Sequence, residues 1–213
     1  MNPKKLTTCN VDEFCDELAS ESPAPGGGSV AALAGALAAC LTSMVSRLTI
    51  GKKKYADVED DMKAVLECAD RARAGLLKLV DEDTAAYSAV MAAYKLPRET
   101  PEDVAARDKA IQDATRTAIA VPLEVAKQAA AVLDLALTAV EKGNVNAASD
   151  AGVAGLLAHA AVQGALLNVR INLGAVTDKS VAAETKKVAA KIQTRAAGLS
   201  AKIQAAVAAR IGG

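Results

Sequence analysis

The chain has 213 residues, and its 25 Lys plus Arg balance 25 Asp plus Glu. Zero net charge argues against a basic surface for nucleic acid, and there is no acidic tail. Fifty alanines stand against three Tyr, one Phe and no Trp, so no aromatic platform for stacking bases is available. Abundant Ala with Leu, Lys, Glu and Gln predicts helix throughout, an all-α protein.

Asn10 followed by Glu13 predicts a capping-box start for a short helix to about Ala19. Pro23-Ala-Pro-Gly-Gly-Gly28 breaks the chain, and Ser29 opens an uncharged, small-residue helix that ends near Thr49. Gly51 and Lys52-Lys53-Lys54 make a turn. A long helix is expected from about Asp57 to Tyr94, with an apolar stripe through Met62, Val65, Leu66, Ala69, Leu76, Leu77, Val80, Tyr87, Val90, Met91 and Tyr94. Leu96-Pro97 stops it. Pro101 opens the next helix at a favourable first-turn position, and Pro122 is expected to kink or divide it before Gly143 ends it. A fifth helix, uncharged from Ala151 to Val169, runs to about Asn172, and Asp178 caps an amphipathic last helix to Arg210. No linker or repeat interrupts the pattern, so the expectation is one domain over 1–213. It is a single bundle of long antiparallel helices with the two uncharged helices at its centre.

From Pro23 to Ser46 the chain carries no charge, long enough to span a bilayer. The content is mostly Ala with Gly, Ser and Thr, and Pro and Gly crowd its start, so a buried bundle helix is expected and no membrane partner. Cys9, Cys15, Cys40 and Cys68 form no CxxC pair and no signal peptide precedes them; they read as reduced thiols of a cytoplasmic protein. His159 is the sole histidine and sits among Ala, Leu and Val, where a hydrogen-bonded core role outweighs catalysis. One His and scattered Cys cannot assemble a typical zinc site, so no metal is expected.

Three places depart from plain helix. Gly26, Gly27, Gly28 and Ser29 lie ahead of a helix, where backbone N–H groups converge and a ligand can come close; a flexible helix-start loop explains them equally well. Asp83 falls on the apolar stripe between Val80 and Tyr87, either as partner of a buried cation or as a site residue. Asp81 and Glu82 face outward and are expected to be solvated. In the stretch 144–172, Asp150 and Asn168 share one azimuth at 100° per residue, with Asn146 about 40° behind and Asn172 about 40° beyond. That polar row is either an interhelical core feature or a ligand wall, and Asn144 or Asn146 also suits a helix cap. Lys52, Lys53 and Lys54 are either solvated or receive the carboxylates of an extended anionic ligand.

Ser20-Glu-Ser-Pro-Ala-Pro-Gly-Gly-Gly-Ser29, Leu48-Thr-Ile-Gly-Lys-Lys-Lys-Tyr55 and Glu141-Lys-Gly-Asn-Val-Asn-Ala-Ala-Ser-Asp-Ala-Gly-Val-Ala154 resemble the formiminotransferase-cyclodeaminase C-terminal domain family, over essentially the whole chain. The resemblance implies an all-helical homodimer that acts on a tetrahydrofolate derivative, with no prosthetic group. Two reactions are implied: hydrolysis of 5,10-methenyltetrahydrofolate to 10-formyltetrahydrofolate, and ring closure of formiminotetrahydrofolate with loss of ammonia. The chain carries no formiminotransferase domain and its 48–55 segment resembles stand-alone cyclohydrolases, so the cyclohydrolase is expected first. The cyclodeaminase is second and a non-enzymatic helical binding protein third. Residue roles are inferred here, not carried over from the family. Asp83 and Asp150 divide pterin binding and proton transfer. Asn144, Asn146 and Asn168 belong to the substrate wall, with Asn146 and Asn168 orienting water or a pterin carbonyl. Gly26, Gly27, Gly28 and Ser29 approach the folate, and Lys53 or Lys54 meets its glutamate tail.

Overall fold

A computed structural model describes residues 5–212; residues 1–4 and 213, the ends of the expected domain, lie outside the described residues. Six helices pack into one bundle, and no strand occurs among the described residues. They are α1 (Val11–Ala19), α2 (Gly27–Arg47), α3 (Glu59–Tyr94), α4 (Pro101–Lys142), α5 (Ala148–Leu173) and α6 (Lys179–Ile211), with short 3-10 turns before α1, α3 and α5.

The starts follow the chemistry of their caps. Asn10 accepts from the Glu13 N–H while Glu13 returns a bond to the Asn10 N–H, and Thr100 and Asp103 repeat that exchange at α4. Asp178 caps α6 through the N–H groups of Ser180 and Val181.

The uncharged helices α2 and α5 lie at the centre and run antiparallel. A Cβ on Gly27 would lie 3.6 Å from Asn168 Nδ2, one on Gly164 3.3 Å from Ala31 Cβ, and one on Gly35 3.5 Å from Ala161 Cβ, so the contacts descend one helix as they climb the other. Small residues let the two backbones approach this closely, which accounts for the alanine content. Gly35 is pressed from the other side as well, since its Cβ would lie 3.1 Å from a Leu76 methyl of α3. Both helices are long and apolar enough to cross a membrane, yet inside the bundle they pack against each other and against α4, with α3 on α2 and α6 on α5.

Two expectations are corrected. Proline does not divide α4, which runs unbroken from Pro101 to Lys142 with Pro122 buried inside it. Pro122 has no N–H for the Ala118 carbonyl one turn earlier, and the side chain of Asn172 supplies the missing donor at 2.7 Å. The apolar stripe of α3 is buried at Met62, Val65, Ala69, Leu76 and Val80 but surfaces at Tyr87, Met91 and Tyr94. Toward that end α3 leaves the core; Tyr94 stacks instead under the Arg107 guanidinium, 5.6 Å from its centroid.

Candidate active site

The start of α2, the middle of α3 and the last turns of α5 enclose a cleft of about 280 Å³. Its wall holds Gly26, Gly27, Gly28, Asp83, Tyr87, Ala118, Asn168 and Asn172, with Pro23, Ala24, Ala86 and Val90. Among the described residues no Lys or Arg contributes. Three of the places singled out in the sequence therefore meet: the glycine loop, the aspartate of the stripe and the asparagine end of α5.

Asp83 is partly buried, and burial pushes its carboxyl above the ordinary carboxylate range. Hydrogen bonds from the Ser29 side chain and backbone pull the other way without overcoming it. Ser29 Oγ lies 3.1 Å from Asp83 Oδ2, 3.0 Å from the Val80 carbonyl and 3.3 Å from Thr84 Oγ1. Gly28 is needed next to this pair, because a Cβ there would fall on the Asp83 carboxylate. Three consecutive glycines thus have a steric reason at one position at least: α2 begins pressed against a carboxylate. Asn168 donates through Nδ2 to the Gly164 carbonyl at 2.9 Å.

The remaining candidates lie elsewhere. Asp150 is in the first turn of α5, about 27 Å along the helix from Asn168 at 1.5 Å per residue. The polar row is therefore not one wall within the chain: common azimuth placed its members on one face, at opposite ends. Asn146 is not on the helix at all but in the 3-10 turn Val145–Ala147, exposed to solvent. Asn144 is buried and structural. Its N–H donates to Thr49 Oγ1 at 2.8 Å, its Nδ2 to the Leu48 carbonyl at 3.2 Å, and its Oδ1 caps the turn through the Asn146 N–H. Tyr55 Oη closes the same knot, donating to Asn144 Oδ1 at 3.4 Å and accepting from the Val145 N–H at 3.0 Å. Lys53 and Lys54 are exposed beside it, Lys54 with its Nζ 5.5 Å from the Tyr55 centroid. From Gly27 to Arg47 helix α2 rises about 30 Å, which separates the lysine turn from the cleft.

Asp81 also departs from expectation. It is not a solvated carboxylate but accepts from the Leu6 N–H at 2.8 Å and Thr7 Oγ1 at 2.8 Å, fastening the segment before α1 to α3. Beside the cleft, sharing Ala24 with it, lies a hollow of about 580 Å³ lined by Glu13, Asp16 and Glu17, a direction unfavourable for a carboxylate-bearing tail. His159 pairs with Gln163 within α5 at 3.2 Å, away from the cleft. Among the described residues no three His, Cys, Asp or Glu side chains gather in a way that could hold a metal ion. Sequence reasoning missed Tyr87 as a cleft residue. Its spacing of four from Asp83 puts both on one helix face and was the available signal.

The sequence model of the formiminotransferase-cyclodeaminase family matches residues 10–191, and the chain belongs to that family. It is 44% identical over 201 residues to the methenyltetrahydrofolate cyclohydrolase of Methylorubrum extorquens, covering 94% of this chain and 97% of that protein. It is 37% identical over 175 residues to the formimidoyltransferase-cyclodeaminase of Rattus norvegicus; there the match covers 82% of this chain but about a third, 32%, of the relative. The crystal structure of formiminotetrahydrofolate cyclodeaminase from Thermotoga maritima superposes with a TM-score of 0.86 at 30% identity, covering 96% of this chain and 98% of that one.

Proposed function

We propose that this chain is a methenyltetrahydrofolate cyclohydrolase: it adds water to the carbon between N5 and N10 of 5,10-methenyltetrahydrofolate and yields 10-formyltetrahydrofolate. The observation that carries the reading is the 44% identity to a cyclohydrolase that the chain matches over nearly its full length. The cleft suits such a substrate, because the reacting amidinium carbon is cationic and the wall offers acceptors and one carboxylate but, among the described residues, no cation.

In this reading Asp83 handles the protons. A carboxyl held above its ordinary range by burial is a stronger base than an exposed carboxylate and can take a proton from water and give it back. Water attacks the amidinium carbon as Asp83 takes one of its protons. The C–N5 bond of the tetrahedral adduct then breaks, with the Asp83 proton passing to N5. The carbinol hydroxyl loses its proton to solvent as the formyl carbonyl forms on N10, so one proton is released overall. Ser29 orients the carboxylate, and Gly26, Gly27 and Gly28 let the folate come close to the start of α2. No prosthetic group or metal takes part.

The second reading, closure of formiminotetrahydrofolate with release of ammonia, draws on the formiminotetrahydrofolate cyclodeaminase of Thermotoga maritima, whose chain is matched over 98% of its length. Purified protein given each substrate separately decides between them. Loss of the methenyl chromophore without ammonia supports the cyclohydrolase; ammonia release with a growing chromophore replaces it by the cyclodeaminase; neither points to the binding protein.

The chain is further proposed to work in the cytoplasm as one domain and as a homodimer. All four cysteines are free thiols, as a reducing compartment keeps them. Helix α2 exposes Val30, Leu37 and Met44 and helix α5 exposes Val153, Leu156 and Leu167, apolar side chains of the kind a second copy covers. A two-fold axis across the middle of these helices would bring Asp150, Asn146, Lys53 and Lys54 of one subunit toward the cleft of the other. That is the arrangement in which they remain site residues, with the lysines meeting the glutamate tail.

A further inference from the structure

Both asparagines of the cleft are locked through the same end. Asn172 Nδ2 donates to the Ala118 carbonyl at 2.7 Å and Asn168 Nδ2 to the Gly164 carbonyl at 2.9 Å. A carbonyl only accepts, so each amide must turn its NH2 toward the backbone and its Oδ1 away from it. No hydrogen bond from a described residue reaches either Oδ1, and no side-chain nitrogen or oxygen among the described residues is buried without a partner. Asn168 turns its Nδ2 toward the glycine loop, 3.6 Å from where a Cβ on Gly27 would lie, whereas Asn172, in the cleft wall, has an Oδ1 that no described residue engages.

The lock on Asn172 has an origin in another helix. Ala118 has a carbonyl to offer because residue 122 is proline, which lacks the N–H that would otherwise take it in the regular helix. A proline in a helix interior is destabilising, so its presence at the turn that faces Asn172 calls for a compensating use.

We propose that Asn172 is a specificity-determining residue of the cleft, its Oδ1 accepting a hydrogen bond from the donor-bearing edge of the bound heterocycle, with Pro122 as the residue that positions it. The inference rests on the folate reading above and deepens it by assigning the edge that is recognised. The Asn172 amide oxygen and the Asp83 carboxylate form an acceptor set on the cleft wall. A ring edge carrying N–H and amino donors, such as the amino-pyrimidinone of a reduced pterin, satisfies it. An edge that presents acceptors leaves these oxygens desolvated against oxygen or nitrogen lone pairs and is rejected.

The test separates this role from a purely structural one. Asn172→Ala leaves the Ala118 carbonyl without a donor and should lower the melting temperature. It should also weaken tetrahydrofolate binding and raise KM for 5,10-methenyltetrahydrofolate roughly tenfold, about one hydrogen bond. The double variant Pro122→Ala/Asn172→Ala returns a backbone N–H to that carbonyl, so its melting temperature should recover to wild type or above while binding stays weak. Unchanged tetrahydrofolate affinity in Asn172→Ala, or recovery of affinity together with stability in the double variant, overturns the proposal. Wild-type protein that binds tetrahydrofolate in an Asn172-dependent way but turns over no methenyl substrate would sink the cyclohydrolase reading alone.

Discussion

Ser29 and Asp83, 54 residues apart in the chain, face each other across the junction of α2 and α3, with Ser29 Oγ 3.1 Å from Asp83 Oδ2. The first turn of one helix thereby holds the only carboxylate among the described residues that line the cleft. Gly28 is bare where a side chain would strike it.

Asp83→Asn should lower kcat/KM at least a hundredfold, the scale of losing a general acid–base group. Stability should move the other way. Because burial raises the folded-state pKa, the folded chain binds this proton more tightly than the unfolded chain does. The stability that follows is fully present below the unfolded pKa and is lost as pH rises through the folded one. Asn carries no charge, so the variant should melt higher than wild type at neutral pH, with the gap closing in acid. Melting curves across that range check it; a variant that is active, or that melts lower at neutral pH, contradicts the assignment.

Ser29→Ala removes a bond that favours the charged carboxylate, so the Asp83 pKa should rise further. The acidic limb of the kcat/KM profile should shift to higher pH, while rates at high pH stay within about tenfold of wild type, the scale of one hydrogen bond. An unshifted limb with a uniform loss would mean that Ser29 acts only in packing.

Lys53→Gln and Lys54→Gln should raise KM and leave kcat near wild type, since a glutamate tail lies far from the reacting carbon and binds equally in ground and transition states. The effect should be larger for polyglutamylated substrate and shrink with salt, which screens exposed charges over about 8–10 Å. A flat response to tail length and salt in both variants would end the tail-binding proposal.

Asp83→Asn and Asp150→Asn should both be inactive as separate preparations if each subunit completes its neighbour's site. Unfolded together and refolded, they should regain activity, because a mixed dimer contains one intact cleft. No recovery, with dimers confirmed by sedimentation, would place Asp150 outside the reaction; monomers would remove the homodimer as well.

The all-α class and most helix boundaries were legible in the sequence because they depend on neighbours within one or two turns. Asn10 with Glu13, Thr100 with Asp103, and Asp178 act on backbone groups two or three residues away. Small uncharged helices had to be central because only they permit close backbone approach. Gly26, Gly27, Gly28, Asp83 and Asn168 were each recognisable as departures from a plain amphipathic pattern, the carboxylate most of all because its place on a buried stripe is costly.

What the sequence did not contain was height along the bundle. Periodicity reports the azimuth of a residue, so Asp150 and Asn168 looked like neighbours although the helix carries them about 27 Å apart. Antiparallel packing of α2 against α5 decided which motif ends meet: the glycine loop came to Asn168, and the lysine turn came to Asn144. The fate of Pro122 was likewise set by a residue 50 positions away. A helix that proline should have divided stays whole because Asn172, on a different helix, supplies the hydrogen bond that proline cannot. Local chemistry specified the pieces; only packing could pair a missing donor with a side chain able to replace it.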